Sequence, residues 1–228
     1  MDIRDLGNGI AKVPGKGILE KPLLILKHAH SSAKALLAAF DGIRGKKEGA
    51  PTDAEQDLLR SMLVLSAAGL DSIIKQLIRD TLTNLAEKDV KVLEGIEAFA
   101  RKQMRGMAQS SSDSMAAKFL AQILVAKSHH GKIIELYIED LTSRSLQSAE
   151  ELMKALYALA VEPTEVGVDP KRLKEIFDIR NKIIHELDIQ FGGINRSRNS
   201  RTRNTMVKHT NLLLALGEGV LLAVARKL

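Results

Sequence analysis

TDAEQDLLRSMLVLSAAGLDSIIKQLIRDTLTNL, running from Thr52 to Leu85, is the stretch on which the fold turns. Thr52 and Glu55 have the spacing of a capping box, in which the hydroxyl serves free backbone donors of the first turn and the carboxylate reaches back. Behind that start, Leu58, Leu59, Met62, Leu63, Leu65, Leu70, Ile73, Ile74, Leu77 and Ile78 recur at helical spacing. They cover more than one face, so this helix is expected to run through the middle of the molecule. Its Ser66-Ala67-Ala68-Gly69 run lacks bulk and invites a second helix to approach closely.

Outward from this helix, the same period predicts others over roughly 23–40, 90–105, 112–128, 132–143, 147–160 and 205–227. Ser112 or Asp113, and Ser148, are the candidate N-caps of two of them. Asp169-Pro170 is an N-cap followed by proline at the first helical position, and it opens a helix through Leu187. No alternating strand pattern and no solenoid repeat is present. The expected fold is all-α, an up-and-down bundle of long antiparallel helices forming one domain over 22–228. Residues 1–21 contain Gly7, Gly9, Pro14, Gly15 and Gly17 among few apolar residues, and are expected to be a flexible N-terminal arm. The piece from Gly9 to Gly17 fails as a phosphate-binding loop, because its glycine spacing is one residue too long and Gly17 replaces the magnesium-binding hydroxyl.

Composition narrows the chemistry. With 228 residues, 45% of them hydrophobic, the chain can bury a substantial core. The absence of cysteine excludes disulfides, thiolate nucleophiles and thiolate metal sites. The histidine pairs His28/His30 and His129/His130 are poorly spaced for shared ligation, so neither a metal nor any other cofactor is expected. The amino-terminal residues lack a signal-peptide layout, and the apolar stretch near Leu63 to Leu70 is too short for a bilayer; a cytoplasmic protein without membrane contact is expected. The net charge of +6 is uneven. From Ile189 to Gly217 there is no acidic residue, while Arg196, Arg198, Arg201, Arg203 and Lys208 add five cations. This points to a polyanion partner held through phosphates. Base stacking is disfavoured, because the chain has no tryptophan, two tyrosines and five phenylalanines, all scattered.

Within the helix that starts at Pro170, Leu173, Ile176, Phe177, Ile184 and Leu187 form one apolar stripe, and Arg180 projects from its middle. A guanidinium keeps its charge, so it needs a carboxylate, a phosphate or a wet cleft. One reading is a structural ion pair with Asp71 or Glu186. The other is a site. Asn181 and His185, four residues apart, share a polar flank with Asp178 one turn back, and a second copy of the helix would bring two arginines and two histidines into one cleft. RNA cleavage by internal transesterification asks for such groups: a base for the 2′-hydroxyl proton, an acid for the departing 5′-oxygen, and a cation for the phosphoryl charge.

The segment from Asp178 to Glu186 resembles the signature of HEPN domains, in which an arginine followed by a polar residue precedes a histidine by four to six intervening positions on a late helix. The segment from Leu63 to Ile74 is similar to the early helix of the RiboL-PSP branch of that family, where an acidic residue, here Asp71, follows a run of small ones. The basic loop leading into a final helix is similar too, and the likeness extends over about 53–228. The resemblance implies a HEPN-like bundle and a metal-independent endoribonuclease, acting as a toxin or effector in bacterial defence. It implies a homodimer with a composite active site, and it admits an antitoxin or regulatory protein as a second partner. Arg180 and His185 match the active-site pair and Asn181 the polar residue beside the arginine. Some family members are non-catalytic modules that bind nucleic acid or protein, which is the alternative reading.

Overall fold

A computed structural model describes residues 1–13, 17–105, 115–167, 169–192 and 197–228, apart from the side chains of residues 115 and 116. Thr52 caps its helix as its spacing requires: Glu55 N–H donates to Thr52 Oγ1 (3.3 Å), and Thr52 N–H donates to Glu55 Oε2 (2.7 Å). The described residues form eight α-helices: α1 (Glu20–Arg44), α2 (Asp53–Lys88), α3 (Val90–Arg105), α4 (Met115–Leu124), α5 (His129–Thr142), α6 (Ala149–Ala158), α7 (Pro170–Glu186) and α8 (Arg203–Ala225). Short 3₁₀ turns occupy Ile10–Lys12 and Pro163–Val166. Among the described residues the only β pairing is one antiparallel bridge between Ile189 and Arg198, so the all-α class stands.

The 36-residue α2 is the central element, with α1 and α8 packed along it and α3, α5, α6 and α7 on other parts of its surface. Leu59, Met62, Leu63, Ile74, Leu77, Ile78, Leu82 and Leu85 lose essentially all solvent contact, as expected of a helix apolar on several faces. The small-residue run does bring a neighbour close. A Cβ on Gly69 would lie 2.7 Å from the Cβ of Ala29 on α1. Ser148 and Asp169 act as N-caps, accepting from the backbone of Glu151, and of Lys171 and Arg172, respectively. The alternative caps Ser112 and Asp113 lie outside the described residues.

Two expectations are corrected. The N-terminal segment is not a loose arm in its described part: Ile3, Ile10, Val13 and Leu19 are buried in the common core. Gly7 N–H donates to Glu218 Oε1 (3.0 Å) and Arg4 N–H to Asn211 Oδ1 (2.9 Å), both acceptors on α8. The glycines here serve close approach instead of mobility, since a Cβ on Gly7 would meet the Glu218 carboxylate and one on Gly9 would meet Leu222. Secondly, the apolar segments are longer than the stretch from Leu63 to Leu70: α2 and α8 each contain an 18-residue window that by length and composition alone could cross a membrane. Half of the α2 window and 61% of the α8 window are buried within the chain, as in the core helices of a packed bundle.

Candidate functional site

Helix α7 has two unlike halves. Leu173, Ile176 and Phe177 pack into the core, whereas Ile184 and Leu187, which continue the same stripe, are 39% and 65% exposed. Arg180 stands at the changeover and is partly buried. Its Nη1 donates to Asn181 Oδ1 (2.8 Å), and Asn181 Nδ2 donates in turn to the Gln147 carbonyl (3.0 Å), so the α5–α6 connection braces the arginine through the asparagine. Arg180 Nε is buried without a hydrogen-bond partner, and among the described residues no carboxylate lies within ion-pair distance of this guanidinium. Asp71, one of its candidate partners, instead accepts from Lys75 Nζ (3.0 Å) and Leu146 N–H (3.0 Å).

His185 lies on the solvent surface in the last turn of α7 and makes no hydrogen bond to a described residue, to Arg180 included. The arginine and asparagine are thus brought together within one chain, and the histidine is not joined to them. Asp178 borders a polar cavity of about 440 Å³ together with Lys174, Lys182 and Arg201; Asn181 and His185 do not line it. Phe191, beyond the end of the helix, is also exposed, at 62%.

What fixes the end of α7 is a buried charge network that the sequence reading did not single out. Leu187 and Asp188 both adopt left-handed backbone (φ 51° and 62°), which turns the Asp188 carboxylate inward. There Arg60 Nε donates to Asp188 Oδ2 (3.0 Å) and Arg201 Nε to the same oxygen (2.8 Å), while Arg201 Nη2 and Asn199 Nδ2 donate to Oδ1 (2.5 and 2.9 Å). Burial by itself would raise this carboxyl, but the hydrogen bonds from Arg201 and Arg60, the Arg201 charge and the Asn199 amide outweigh it and hold the group below the ordinary carboxylate range. The signal was available: Arg60 interrupts an apolar helix just as Arg180 does.

The basic stretch after α7 reads differently in three dimensions. Arg201 is committed to Asp188; Arg198 donates to the Leu187 carbonyl (2.9 Å) and pairs with Asp57 (2.7 Å); Arg203 pairs with Asp41 (2.7 Å) and Asp2 (3.0 Å). The acidic gap in the local sequence is therefore filled at these three positions, by Asp57, Asp41 and Asp2 from far along the chain and by Asp188 from 13 positions before Arg201. Lys208 is exposed and has no carboxylate within ion-pair distance among the described residues; it borders a cavity of about 510 Å³ with Arg172, Glu175 and His209. Arg196 lies outside the described residues.

Comparisons with family models, curated proteins and solved structures gave no significant match to this chain.

Proposed function

We propose that this chain is a HEPN-like, metal-independent endoribonuclease of the cytoplasm, built as an up-and-down antiparallel bundle and active as a homodimer. The observation that carries the reading is Arg180, a braced and partly buried guanidinium with no carboxylate in ion-pair distance among the described residues, five positions before an exposed histidine. A guanidinium kept free of carboxylates retains its donors for phosphate. Exposed Ile184, Leu187 and Phe191 supply an apolar surface on which a second α7 would pack, bringing two Arg180–His185 sets to one cleft.

In that cleft one His185 takes the proton of the ribose 2′-hydroxyl as the oxygen attacks phosphorus, and an acid, the partner's His185, protonates the departing 5′-oxygen. Arg180 neutralises charge on the phosphoryl oxygens, and Asn181 holds Arg180 in place. The products are a 2′,3′-cyclic phosphate and a 5′-hydroxyl. Lys208 remains available for RNA phosphates, and the role of toxin or effector in bacterial defence rests on the HEPN resemblance alone.

The test is cleavage of single-stranded RNA in EDTA, with identification of both new ends. Arg180→Ala and His185→Ala should each lower the rate about 10²-fold or more, the range of acid–base and charge-stabilising groups. Loss of wild-type activity on chelation, or unchanged activity in both variants, overturns the assignment. The pairing of Arg198, Arg201 and Arg203 with carboxylates favours a second reading, a non-catalytic module in which these residues hold the fold. It predicts that no RNA is cut and that binding is unaffected by His185→Ala.

A further inference from the structure

Helices α3, α5, α6 and the first turn of α7 border an open cavity of about 830 Å³, which Arg180, Asn181 and His185 do not line. Its wall is apolar, formed by Phe99, Tyr137, Met153 and Tyr157, and small residues, Gly95, Ala98, Ala149 and Ala158, leave the space unfilled. Leaving this apolar wall open to water is unfavourable, since covering it would be worth about 25 cal/mol per Å². Gly95 adds its own cost, as glycine inside a helix is about 1 kcal/mol less favourable than alanine. The size falls within the roughly 300–1,000 Å³ typical of small-molecule sites.

Two further features bear on the occupant. Four lysines, Lys102, Lys154, Lys171 and Lys174, border the cavity against two carboxylates, Asp140 and Glu150. Asp140 takes Lys154 (2.9 Å), while Lys102, Lys171 and Lys174 have no carboxylate within ion-pair distance among the described residues. The second feature is Tyr137. Its side chain is buried, its ring lies 5.0 Å from that of Phe99, and its hydroxyl sits on the wall beside Gly95, 3.3 Å from where a Cβ would be. That hydroxyl has no hydrogen-bond partner among the described residues and is not one of their fully buried polar atoms, so it faces the cavity, free to donate to whatever enters. Burial and, secondarily, the charge of Asp140 push the phenol up to about 12, so it remains a donor at neutral pH.

We propose that this cavity binds a small amphipathic anion, its apolar body against Phe99, Tyr137, Met153 and Tyr157 and its anionic head among Lys102, Lys171 and Lys174. The Tyr137 hydroxyl donates to an oxygen of the ligand. The site is independent of the ribonuclease reading and stands or falls separately from it.

The test is calorimetric titration of the full chain with decanoate, and with decyltrimethylammonium and decanol as the cationic and neutral counterparts. One equivalent of decanoate should bind, with the cation about tenfold weaker or worse, as like charges at a desolvated rim predict. Tyr137→Phe should weaken decanoate about tenfold through the lost hydrogen bond to a charged group. Lys102→Glu with Lys171→Glu should weaken it at least as much, and both substitutions fall on exposed positions that leave the fold intact. Ala98→Trp, also at an exposed position, should obstruct the apolar wall and weaken decanoate binding about tenfold or more. Failure of decanoate to bind, equal binding of the cation, or binding undisturbed by Ala98→Trp overturns the proposal. So does self-association through this face that Ala98→Glu abolishes, which would make the cavity a protein interface.

Discussion

Arg60 donates through Nε to the carboxylate of Asp188 at 3.0 Å, with the arginine 2% exposed and the aspartate not exposed at all. The contact joins the second turn of α2 to the end of α7 across 128 positions of sequence. Taking both charges out of water is expensive, and they are tolerable together because Arg201, Asn199 and Asp57 complete the hydrogen bonding.

Removing one member of this set should therefore cost far more than a surface ion pair. Arg60→Ala or Asp188→Asn should lower unfolding free energy by about 3–5 kcal/mol, because the opposite charge is left buried. Urea denaturation measures this; a loss under about 1 kcal/mol would show that the network is not holding the helix end.

The same carboxylate makes stability sensitive to acid. Its folded value is depressed below the unfolded one, about 3.9. Its contribution is thus complete above the unfolded value and is lost as pH falls through the folded one. Asp188→Asn should be less stable than wild type at neutral pH and show a shallower decline at acid pH, readable from midpoints at a series of pH values.

His30 works in a higher pH window with the same sign. Burial first, then the charges of Arg4 and Lys34, lower its imidazole below the ordinary value of about 6.5, against weaker opposition from the Arg4 backbone and Asp5. The folded chain resists protonation there, so this contribution is full above about pH 6.5 and is lost as pH falls through the lower folded value. Thermal midpoints should drop on acidification below neutrality, and His30→Gln should remove part of that slope. An identical slope in the variant would place the sensitivity elsewhere.

Close packing of α1 on α2 predicts intolerance at Gly69. With only 2.7 Å between an added Cβ and that of Ala29, Gly69→Val should force the helices apart and cost about 1–3 kcal/mol. Stability equal to wild type in a denaturant titration would contradict this contact.

The exposed half of α7 is where association can be tested separately from chemistry. Leu187→Glu, at a position already 65% exposed, should leave helix content and melting nearly unchanged while shifting the sedimentation profile from dimer to monomer and lowering RNA cleavage. A wild-type chain that sediments as a monomer at all concentrations would remove the composite-site argument.

Helices were legible because their signals are local. The Thr52–Glu55 box, the Ser148 and Asp169 caps and the apolar period of α2 each lie within a few residues, and each is found as read. The apolar period places the first helix three residues short of its start and four short of its end, where Glu20, Lys21, Asp41 and Arg44 carry no period. Side-chain partners were not legible. Arg198, Arg201 and Arg203 look like a free basic run in a local charge count, yet Asp57, Asp188, Asp41 and Asp2 arrive from four separate parts of the chain. Gly7 and Gly9 mislead for a related reason: what distinguishes a glycine of a loose arm from one pressed against Glu218 or Leu222 is the neighbour, which lies over 200 positions away. Arg180 and Asn181 could be read because their mutual contact is between adjacent residues.

Two consecutive non-glycine residues in left-handed backbone, Leu187 and Asp188, are each disfavoured, and the chain adopts both in order to aim one carboxylate. His185 comes two positions earlier and inherits that anchorage. The imidazole is carried on a stiff mount whose base is bolted to α2, leaving its own rotamers as the main freedom it has. Any molecule that engages it must conform to a preset backbone, so selectivity at this surface would come from fit to a rigid template, with little scope for adaptive closure.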